Sequence, residues 1–356
     1  MMMNQKIVIV RDEYGGKKLK AIVDIDEGEL IFQDKPFAWT FRHDYKLDRT
    51  YCYTCGNTCS NISVNNIRCD DDCPEIFCSF TCVNNSQNDG HQWMCCKNID
   101  AIMLSELYEL DKKGHIIIAL KVYCKIAQTF YLNNDAANDP TTIANDLLNG
   151  YLSADYCQTQ HAARGGLSIF DSNLFNDLIA PAYFNSNLAI PLERIKIIFD
   201  SNKLWESIDH DRKVIFLQSE IFSETFFRSL VGIMVINNLQ VKVQGPMSDS
   251  YLSGSGLYPI YSKMNHSCHY NIRNEINEGN TEVSVYSARN IKKGEDILTT
   301  YLHDDPTKLR KSERKRQLAQ YLFACNCSMC NEQETDDDDE DDDNEGDNEG
   351  DNEDDN

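Results

Sequence analysis

The stretch Asn265-His266-Ser267-Cys268 decides how this chain is interpreted, together with two runs that follow it. The first run is Gly294-Glu295-Asp296-Ile297, with Tyr301 shortly behind it, and the second is Cys325-Asn326-Cys327-Ser328-Met329-Cys330. The tetrapeptide alone carries little information. The order and spacing of all these elements would rarely arise together by chance, so we take them as one signature and interpret the remaining sequence outward from it.

The charge of the chain is concentrated at its C-terminal end. The 356 residues are 41% hydrophobic and carry a formal net charge of -23. This length predicts two or three domains, and this hydrophobic content is enough for ordinary cores. Residues 336–356 hold fifteen acidic residues and no basic one, so residues 1–335 carry only -8. We expect this tail to be disordered because it repels itself, and to serve either as a solvated solubility tail or as a binding segment for basic partners.

The cysteines are interpreted first as metal ligands. Residues 1–11 contain too short an apolar run for a secretory signal, and no later run approaches the ~18 apolar residues of a membrane span. We therefore expect an intracellular protein of the nucleus, the cytoplasm or both, with no membrane partner. Because disulfides are rare in a reducing compartment, the clustering of the fifteen cysteines indicates metal binding.

A first cluster of candidate ligands follows the N-terminal region. It contains seven cysteines and one histidine: Cys52, Cys55, Cys69, Cys73, Cys78, Cys82, His91 and Cys95. Eight such donors suffice for two tetrahedral zinc ions, since a short spacing lets one turn present two donors to one ion. Cys59 and Cys96 are spare thiols that could replace a neighbour. We prefer Cys95 because His91-x3-Cys95 keeps both donors on one helical turn.

The signature resembles the C-terminal half of a SET domain with its post-SET zinc loop, the catalytic fold of protein-lysine methyltransferases that use S-adenosylmethionine. The first cluster is similar to a MYND zinc finger, in which ligand pairs interleave. The three residues between Cys69 and Cys73 depart from the usual two. The resemblance implies three zinc sites, formed by Cys52, Cys55, Cys78 and Cys82, by Cys69, Cys73, His91 and Cys95, and by Cys268, Cys325, Cys327 and Cys330.

The arrangement as a whole resembles the SET-and-MYND family, including the branch whose members have an acidic tail. It implies an α+β fold, in which a β-rich SET domain is split by a MYND zinc finger and a helical insert. The expected parts are residues 1–50 and 246–304 for the SET domain, 51–96 for the finger, 97–245 for the insert, 305–331 for the post-SET zinc loop and 332–356 for the disordered acidic tail. Residue patterns predict strands at 6–10, 19–23 and 29–32, a turn at 26–28, and helices at 115–124 and 214–217.

The resemblance also implies residues that bind the cofactor. Residues 15–21 resemble the family's Gly-x-Gly-Leu-x-Ala motif with Lys18 in place of the second glycine, and Lys17 is assigned to the cofactor. Lys18 and a plain hairpin turn are the alternatives. Asn237 is assigned a cofactor contact, with a turn role as the alternative because another asparagine follows it. Asn265 and His266 resemble the residues that hold the amino-acid part and the adenine of the cofactor.

Three aromatic residues complete the implied active site. Tyr301 matches the catalytic tyrosine between the lysine channel and the cofactor, where its hydroxyl orients the amine and the methyl group. Tyr321 and Phe323 match residues that line the lysine channel and cover the adenine, with ordinary core packing as the alternative. Methyl transfer is an in-line displacement, so the site must mainly align its reactants, while an apolar channel lowers the pKa of the substrate ammonium.

These features predict a monomeric, zinc-containing protein-lysine N-methyltransferase that acts on lysines of histones or other proteins. The finger resembles modules that dock peptide partners. The rival hypothesis is a catalytically weak SET-MYND scaffold that binds partners through the finger, and the altered glycine motif favours it. Direct nucleic-acid binding is not expected, because residues 310–316 form the one basic cluster and the rest of the chain shows no dense basic stripe.

Overall fold

The computed structural model describes residues 6–11, 16–41, 51–59, 67–70, 73–111, 114–133, 139–149, 151, 188–244, 251–276, 280–321 and 323–332. The acidic run 336–356 lies outside these ranges.

The N-terminal region consists of strands, as predicted. Strand β1 (Ile7–Arg11) pairs antiparallel with β2 (Lys17–Ala21), and β3 (Leu30–Asp34) and β4 (Ala38–Phe41) follow. The predicted strands are confirmed with shifts of one or two residues. The predicted turn before β3 is also present, with Gly28 at a φ of 80°, a conformation that costs glycine little.

The finger region is a small hairpin followed by a helix. Strands β5 (Ile67–Asp70) and β6 (Cys73–Phe77) pair antiparallel, and α1 (Phe80–Asn88) comes next. The hydroxyl of Ser79 accepts from the backbone N–H of Cys82 at 3.2 Å and caps this helix. A 3-10 turn at His91–Trp93 then leads into the helical region.

Six helices lie in the described part of the middle of the chain. They are α2 (Ala101–Leu110), α3 (His115–Leu132), α4 (Pro140–Leu148), α5 (Ala189–Asp200), α6 (His210–Gln218) and α7 (Glu224–Asn237). The helices predicted at 115–124 and 214–217 are thus confirmed. Helix α3 is buried over most of its length and packs with aromatic side chains that include Trp93, Phe199 and Phe216. The finger lies directly against this helix, since a Cβ on Gly90 would come within 2.4 Å of the Cys124 carbonyl oxygen.

The C-terminal region returns to strands and ends in short helices. The strands are β7 (Asn238–Gln244), β8 (Tyr251–Leu257), β9 (Asn265–His266), β10 (Ile272–Ile276), β11 (Val283–Ser287) and β12 (Leu298–Thr299). The helices are α8 (Lys311–Leu318) and α9 (Ser328–Glu332).

Strands from the two ends of the chain combine into the same sheets. One sheet has the order β4-β8-β7 and another has the order β10-β11-β3, while β9 and β12 pair in parallel. These sheets share a core that includes Leu19, Phe32, Tyr258 and Val283, separate from the core around α3. The predicted α+β class, a β-rich domain split by intervening segments, is confirmed. Among the described helices, none is both long and apolar enough to cross a bilayer.

Candidate active site and metal clusters

The short parallel pair β9–β12 brings the signature tetrapeptide beside Tyr301. The backbone N–H of Tyr301 donates to Nδ1 of His266 at 3.0 Å, which fixes the orientation of the imidazole. Asn271, which is fully buried, locks the neighbouring segment: its Oδ1 accepts from Leu298 N at 2.8 Å, and its Nδ2 donates to Asp296 O at the same distance. The strand pair is therefore a rigid support for both side chains.

Four of the residues assigned from the sequence form one half-buried aromatic cluster. The ring of Tyr301 lies 5.4 Å from that of His266, 4.8 Å from Tyr321 and 6.0 Å from Phe323 between centroids. His266 and Phe323 are 5.6 Å apart. Burial raises the pKa of Tyr321, so its hydroxyl stays protonated. The hydroxyl of Tyr301 donates to the Met264 carbonyl oxygen at 2.6 Å, so the position of that hydroxyl is also fixed.

The third ligand set lies directly behind this cluster. The sulfur atoms of Cys268, Cys325, Cys327 and Cys330 all lie within 4.8 Å of one another. Cys268 Sγ is 3.6 Å from Cys330 Sγ and 3.9 Å from Cys325 Sγ. A tetrahedral zinc ion with Zn–S bonds of about 2.3 Å places its sulfur ligands about 3.8 Å apart, so this set has the spacing that zinc requires. The hydrogen bond from Cys268 lowers the pKa of Cys325, with a further contribution from His266, so Cys325 is held as a thiolate.

A buried arginine accompanies the third set. Arg314 in α8 is 1% exposed, which requires compensation of its charge and its donors. One guanidinium nitrogen donates to the Leu309 carbonyl oxygen at 2.6 Å, and the other donates to Cys330 Sγ at 3.7 Å. The guanidinium therefore offers positive charge to a cluster of potential thiolates.

The finger contains the two interleaved sets that the resemblance implies. Cys78 Sγ lies 3.6 Å from Cys55 and 3.5 Å from Cys82, and Cys52 completes that set. In the other set, which Cys73 and Cys95 complete, Nε2 of His91 lies 3.2 Å from Cys69 Sγ. These separations also fit tetrahedral zinc.

The longer spacing between Cys69 and Cys73 is accommodated by the β5–β6 hairpin. Asp70 pairs directly with Cys73, and the strand register shifts between Arg68 and Asp70. This brings the Cys73 and Cys69 side chains to the same histidine, since Cys73 Sγ lies 3.7 Å from His91 Nε2. Cys59 and Cys96 are outside the three ligand sets found among the described residues.

The two lysines of the altered glycine motif have different surroundings. Lys18 forms an ion pair with Asp296 at 2.8 Å, and Lys20 pairs with the same carboxylate at 2.9 Å. Burial raises the pKa of Asp296, but the hydrogen bonds from these two lysines outweigh it and the net shift is downward. Lys17 instead donates to Oδ1 of Asn149 at 3.3 Å. Lys18 is thus engaged with the Gly-Glu-Asp turn, while Lys17 faces another part of the protein.

Asn237 lies at the end of α7 and is buried. Its Nδ2 donates to the Ile233 carbonyl oxygen at 2.9 Å, one turn earlier in the same helix. The adjacent Asn238 donates to Ser255 Oγ at 3.2 Å and accepts from Gly256 N at 3.1 Å. Both side chains therefore have structural roles, and the cofactor contact assigned to Asn237 stays a prediction.

The structure adds polar residues that the sequence analysis did not single out. They are Ser262 and Lys263, in the 3-10 turn Tyr261–Lys263 just before the signature, and Tyr151. Ser262 Oγ and Tyr151 Oη are buried polar atoms without a hydrogen-bond partner in the described part of the chain. Lys263 is 8% exposed, and its Nζ lies 4.8 Å from the centroid of the Tyr151 ring. In the sequence, the polar pair 262–263 shortly before a motif assigned to cofactor binding could have indicated Ser262 and Lys263.

Comparison with known proteins gives one family match and several partial relatives. The SET domain family model matches residues 16–302. A "SET and MYND domain-containing protein" of Dictyostelium discoideum is 24% identical over 338 residues, which cover 90% of this chain and 58% of that protein. "N-lysine methyltransferase SMYD2" of Homo sapiens is 26% identical over 155 residues, covering 41% of this chain and 35% of that protein.

A third relative is similar over a shorter region. "Histone-lysine N-methyltransferase set5" of Schizosaccharomyces pombe is 38% identical over 82 residues, covering 22% of this chain and 24% of that protein. The chain thus spans between 24% and 58% of the lengths of these three relatives.

Proposed function

Because the chain belongs to the SET domain family, we propose that it transfers a methyl group from S-adenosylmethionine to the lysine side chain of a protein. The predicted resemblance to SET-and-MYND proteins is confirmed by the Dictyostelium relative, which aligns with 90% of the chain. The observation that carries the proposal is the aromatic cluster of His266, Tyr301, Tyr321 and Phe323, in which His266 lies in β9 and Tyr301 follows β12.

The residues around this cluster fit the chemical character of the cofactor. Half-buried rings can stack on an adenine, while the amino-acid part needs hydrogen-bonding and charged partners. Ser262 and Lys263, which shortly precede Asn265, and Tyr151, which contacts Lys263, offer such partners, since the two hydroxyls are without a hydrogen bond within the described residues. When bound, S-adenosylmethionine supplies an electrophilic methyl group.

Tyr301 is suited to positioning the substrate amine. Its hydroxyl donates to the Met264 carbonyl oxygen, and a phenolic oxygen can also accept, so Oη can receive a hydrogen bond from the amine. A lysine that enters beside Tyr301 and Tyr321 loses solvation, which lowers its pKa and favours the neutral, reactive form. Tyr301 therefore orients the amine and does not act as a nucleophile.

The three Cys and Cys/His sets are proposed as zinc sites with structural roles. Zinc would cross-link segments that are distant in sequence and stabilise regions too small for a core of their own. In the third set, Cys325 and Cys327 lie on the segment that carries Phe323, while Cys268 lies two residues after His266. Metal at this set would thereby hold Phe323 against His266.

The substrate proposal follows the names of the relatives. The yeast relative is named a histone-lysine N-methyltransferase, and the human relative is named an N-lysine methyltransferase. We therefore propose histone tails or other proteins as substrates. We also propose that the finger docks peptide partners and that the acidic tail attracts basic ones. The rival hypothesis, a scaffold with weak catalysis, is supported by the replacement of a motif glycine with Lys18.

The test is transfer of radiolabel from S-adenosylmethionine to histones and to lysine-containing proteins, beside calorimetric titration of the cofactor. Transfer that depends on Tyr301 supports the methyltransferase. Cofactor binding without any transfer would favour the scaffold, and absence of both would refute the proposed function.

A further inference from the structure

Lys263 is buried, and in the part of the chain that the structure describes its ammonium group has no hydrogen-bond partner. It is 8% exposed, and within the described residues its ammonium forms no ion pair either. Its Nζ lies over the face of the Tyr151 ring, 4.8 Å from the ring centroid. A cation–π contact of this kind leaves the three N–H donors of the ammonium unused, and burying an ammonium without partners is costly.

The charges around Lys263 do not balance it. Burial, with a smaller contribution from Lys17, lowers the pKa of Lys263 to about 8, and Asp34 opposes both. Asp34 is only a partial counter-ion, because its Oδ2 already accepts from the backbone N–H groups of Ile260 at 2.7 Å and Tyr261 at 2.8 Å. Two lysines and one engaged carboxylate leave an excess of positive charge around the buried Lys263.

Lys17 approaches the same region from β2. This strand contacts the turn Tyr261–Lys263, and Lys17 Nζ donates to Asn149, which forms a β-bridge with Tyr151. Tyr151 in turn carries the buried, unpaired hydroxyl. Three distant parts of the chain therefore bring two ammonium groups and one free hydroxyl together, and all three groups can donate to an anion.

The position relative to the signature identifies the anion. Lys263 directly precedes Met264, whose carbonyl oxygen holds the Tyr301 hydroxyl, and lies two residues before Asn265. We propose that Lys263, together with Lys17, binds the carboxylate of the amino-acid end of S-adenosylmethionine. This inference rests on the proposed function and deepens it, because it names the side chains that would bind the cofactor carboxylate and so orient the cofactor.

The alternative is that Lys263 is a structural cation, stabilised by Tyr151 and Asp34 alone. The two explanations differ in their ligand dependence. A residue that binds the carboxylate affects only ligands that have one, whereas a residue that supports the fold affects every ligand of the site.

The experiment compares two ligands on two variants by calorimetric titration. S-adenosylhomocysteine carries the carboxylate, and 5′-methylthioadenosine has the same nucleoside and sulfur without the amino acid. Lys263→Met should weaken binding of S-adenosylhomocysteine about ten- to hundredfold, the effect of losing one charge-assisted hydrogen bond, and leave 5′-methylthioadenosine unchanged. The matched control is Lys308→Met, an exposed lysine with 80% of its side chain accessible, which should bind both ligands like the parent.

Each result has a defined meaning. An equal loss for both ligands, or no loss for S-adenosylhomocysteine, would overturn the role of Lys263 while leaving the proposed function in place. Failure of the parent to bind either ligand would overturn the proposed function as well. Should Lys263→Met fail to fold, Lys263→Gln is measured instead: a loss of affinity for S-adenosylhomocysteine alone supports the inference, and unchanged affinity or an equal loss for both ligands contradicts it.

Discussion

Replacing Tyr301 with phenylalanine removes one hydroxyl and keeps the ring. The ring contacts with His266 and Tyr321, at 5.4 and 4.8 Å, should persist, so cofactor affinity should stay close to that of the parent. The lost hydrogen bond to the Met264 carbonyl oxygen should reduce the free energy of unfolding by about 1 kcal/mol. The larger effect should be on turnover, which we expect to fall about a hundredfold, since misplacement of reacting atoms by about 1 Å has an effect of that order.

The assay combines single-turnover methylation of a lysine peptide with calorimetric titration of S-adenosylhomocysteine and urea unfolding. Zinc content is matched to the parent first. Tyr258→Phe is the control, because the Tyr258 hydroxyl also donates to a backbone carbonyl, that of Thr281, and its side chain lies in the β core. The control should lose a similar amount of stability and methylate at the parental rate.

Two outcomes would refute the role given to Tyr301. Parental turnover in Tyr301→Phe would show that the hydroxyl does not orient the amine. Equal losses of turnover in Tyr301→Phe and Tyr258→Phe, in proportion to their losses of stability, would show that Tyr301 only supports the fold.

Three further predictions concern the metal sets and a buried carboxyl. Purified protein should hold close to three zinc ions and Cys73→Ser close to two by elemental analysis; an unchanged content would remove Cys73 from the ligands. Arg314→Met should release one zinc to a chelator faster than the parent, whereas Arg316→Met, an exposed change on the same helix, should not; equal release would contradict the role of Arg314. Burial raises the pKa of Asp34 from 3.8 to about 6, so the folded protein holds a proton that the unfolded chain releases, and stability falls as pH rises through this window. Between about pH 5 and about pH 7 the parent should therefore lose about 1 kcal/mol more unfolding free energy than Asp34→Asn in urea titrations, and parallel losses would refute this.

The local parts of the fold could be predicted from the sequence because their causes are local. Short apolar runs bounded by turn residues predicted β1, β2 and β3 to within two residues, and the apolar run at the start of α3 predicted a helix. Short spacings likewise indicated pairs of ligands such as Cys52 and Cys55. Which ligand pairs share one set depends on the tertiary fold, and the interleaved pairing was implied by the resemblance to MYND fingers. The structure has the same interleaved sets.

The surroundings of Lys263 could not be predicted, because they depend on contacts between distant segments. A lysine beside a polar turn is normally exposed, and its burial here results from Tyr151 and from the anchoring of the turn by Asp34. The unpaired hydroxyl of Tyr151 has no sequence signature either, since a tyrosine after a helix is usually an ordinary packing residue.

The choice between Lys17 and Lys18, open at the level of sequence, follows from strand geometry. Successive side chains of a strand point to opposite faces, so Lys18 and Lys20 share one face of β2 and both reach Asp296. Lys17 shares the other face with Leu19, which is fully buried, and this face is directed toward the turn that carries Lys263. Lys18, which replaces the motif glycine, therefore connects the strand to the turn at Gly294-Glu295-Asp296, and its neighbour Lys17 is the lysine that we propose to meet the anion. Exchanging these roles would require a one-residue slip of β2, which would expose Leu19.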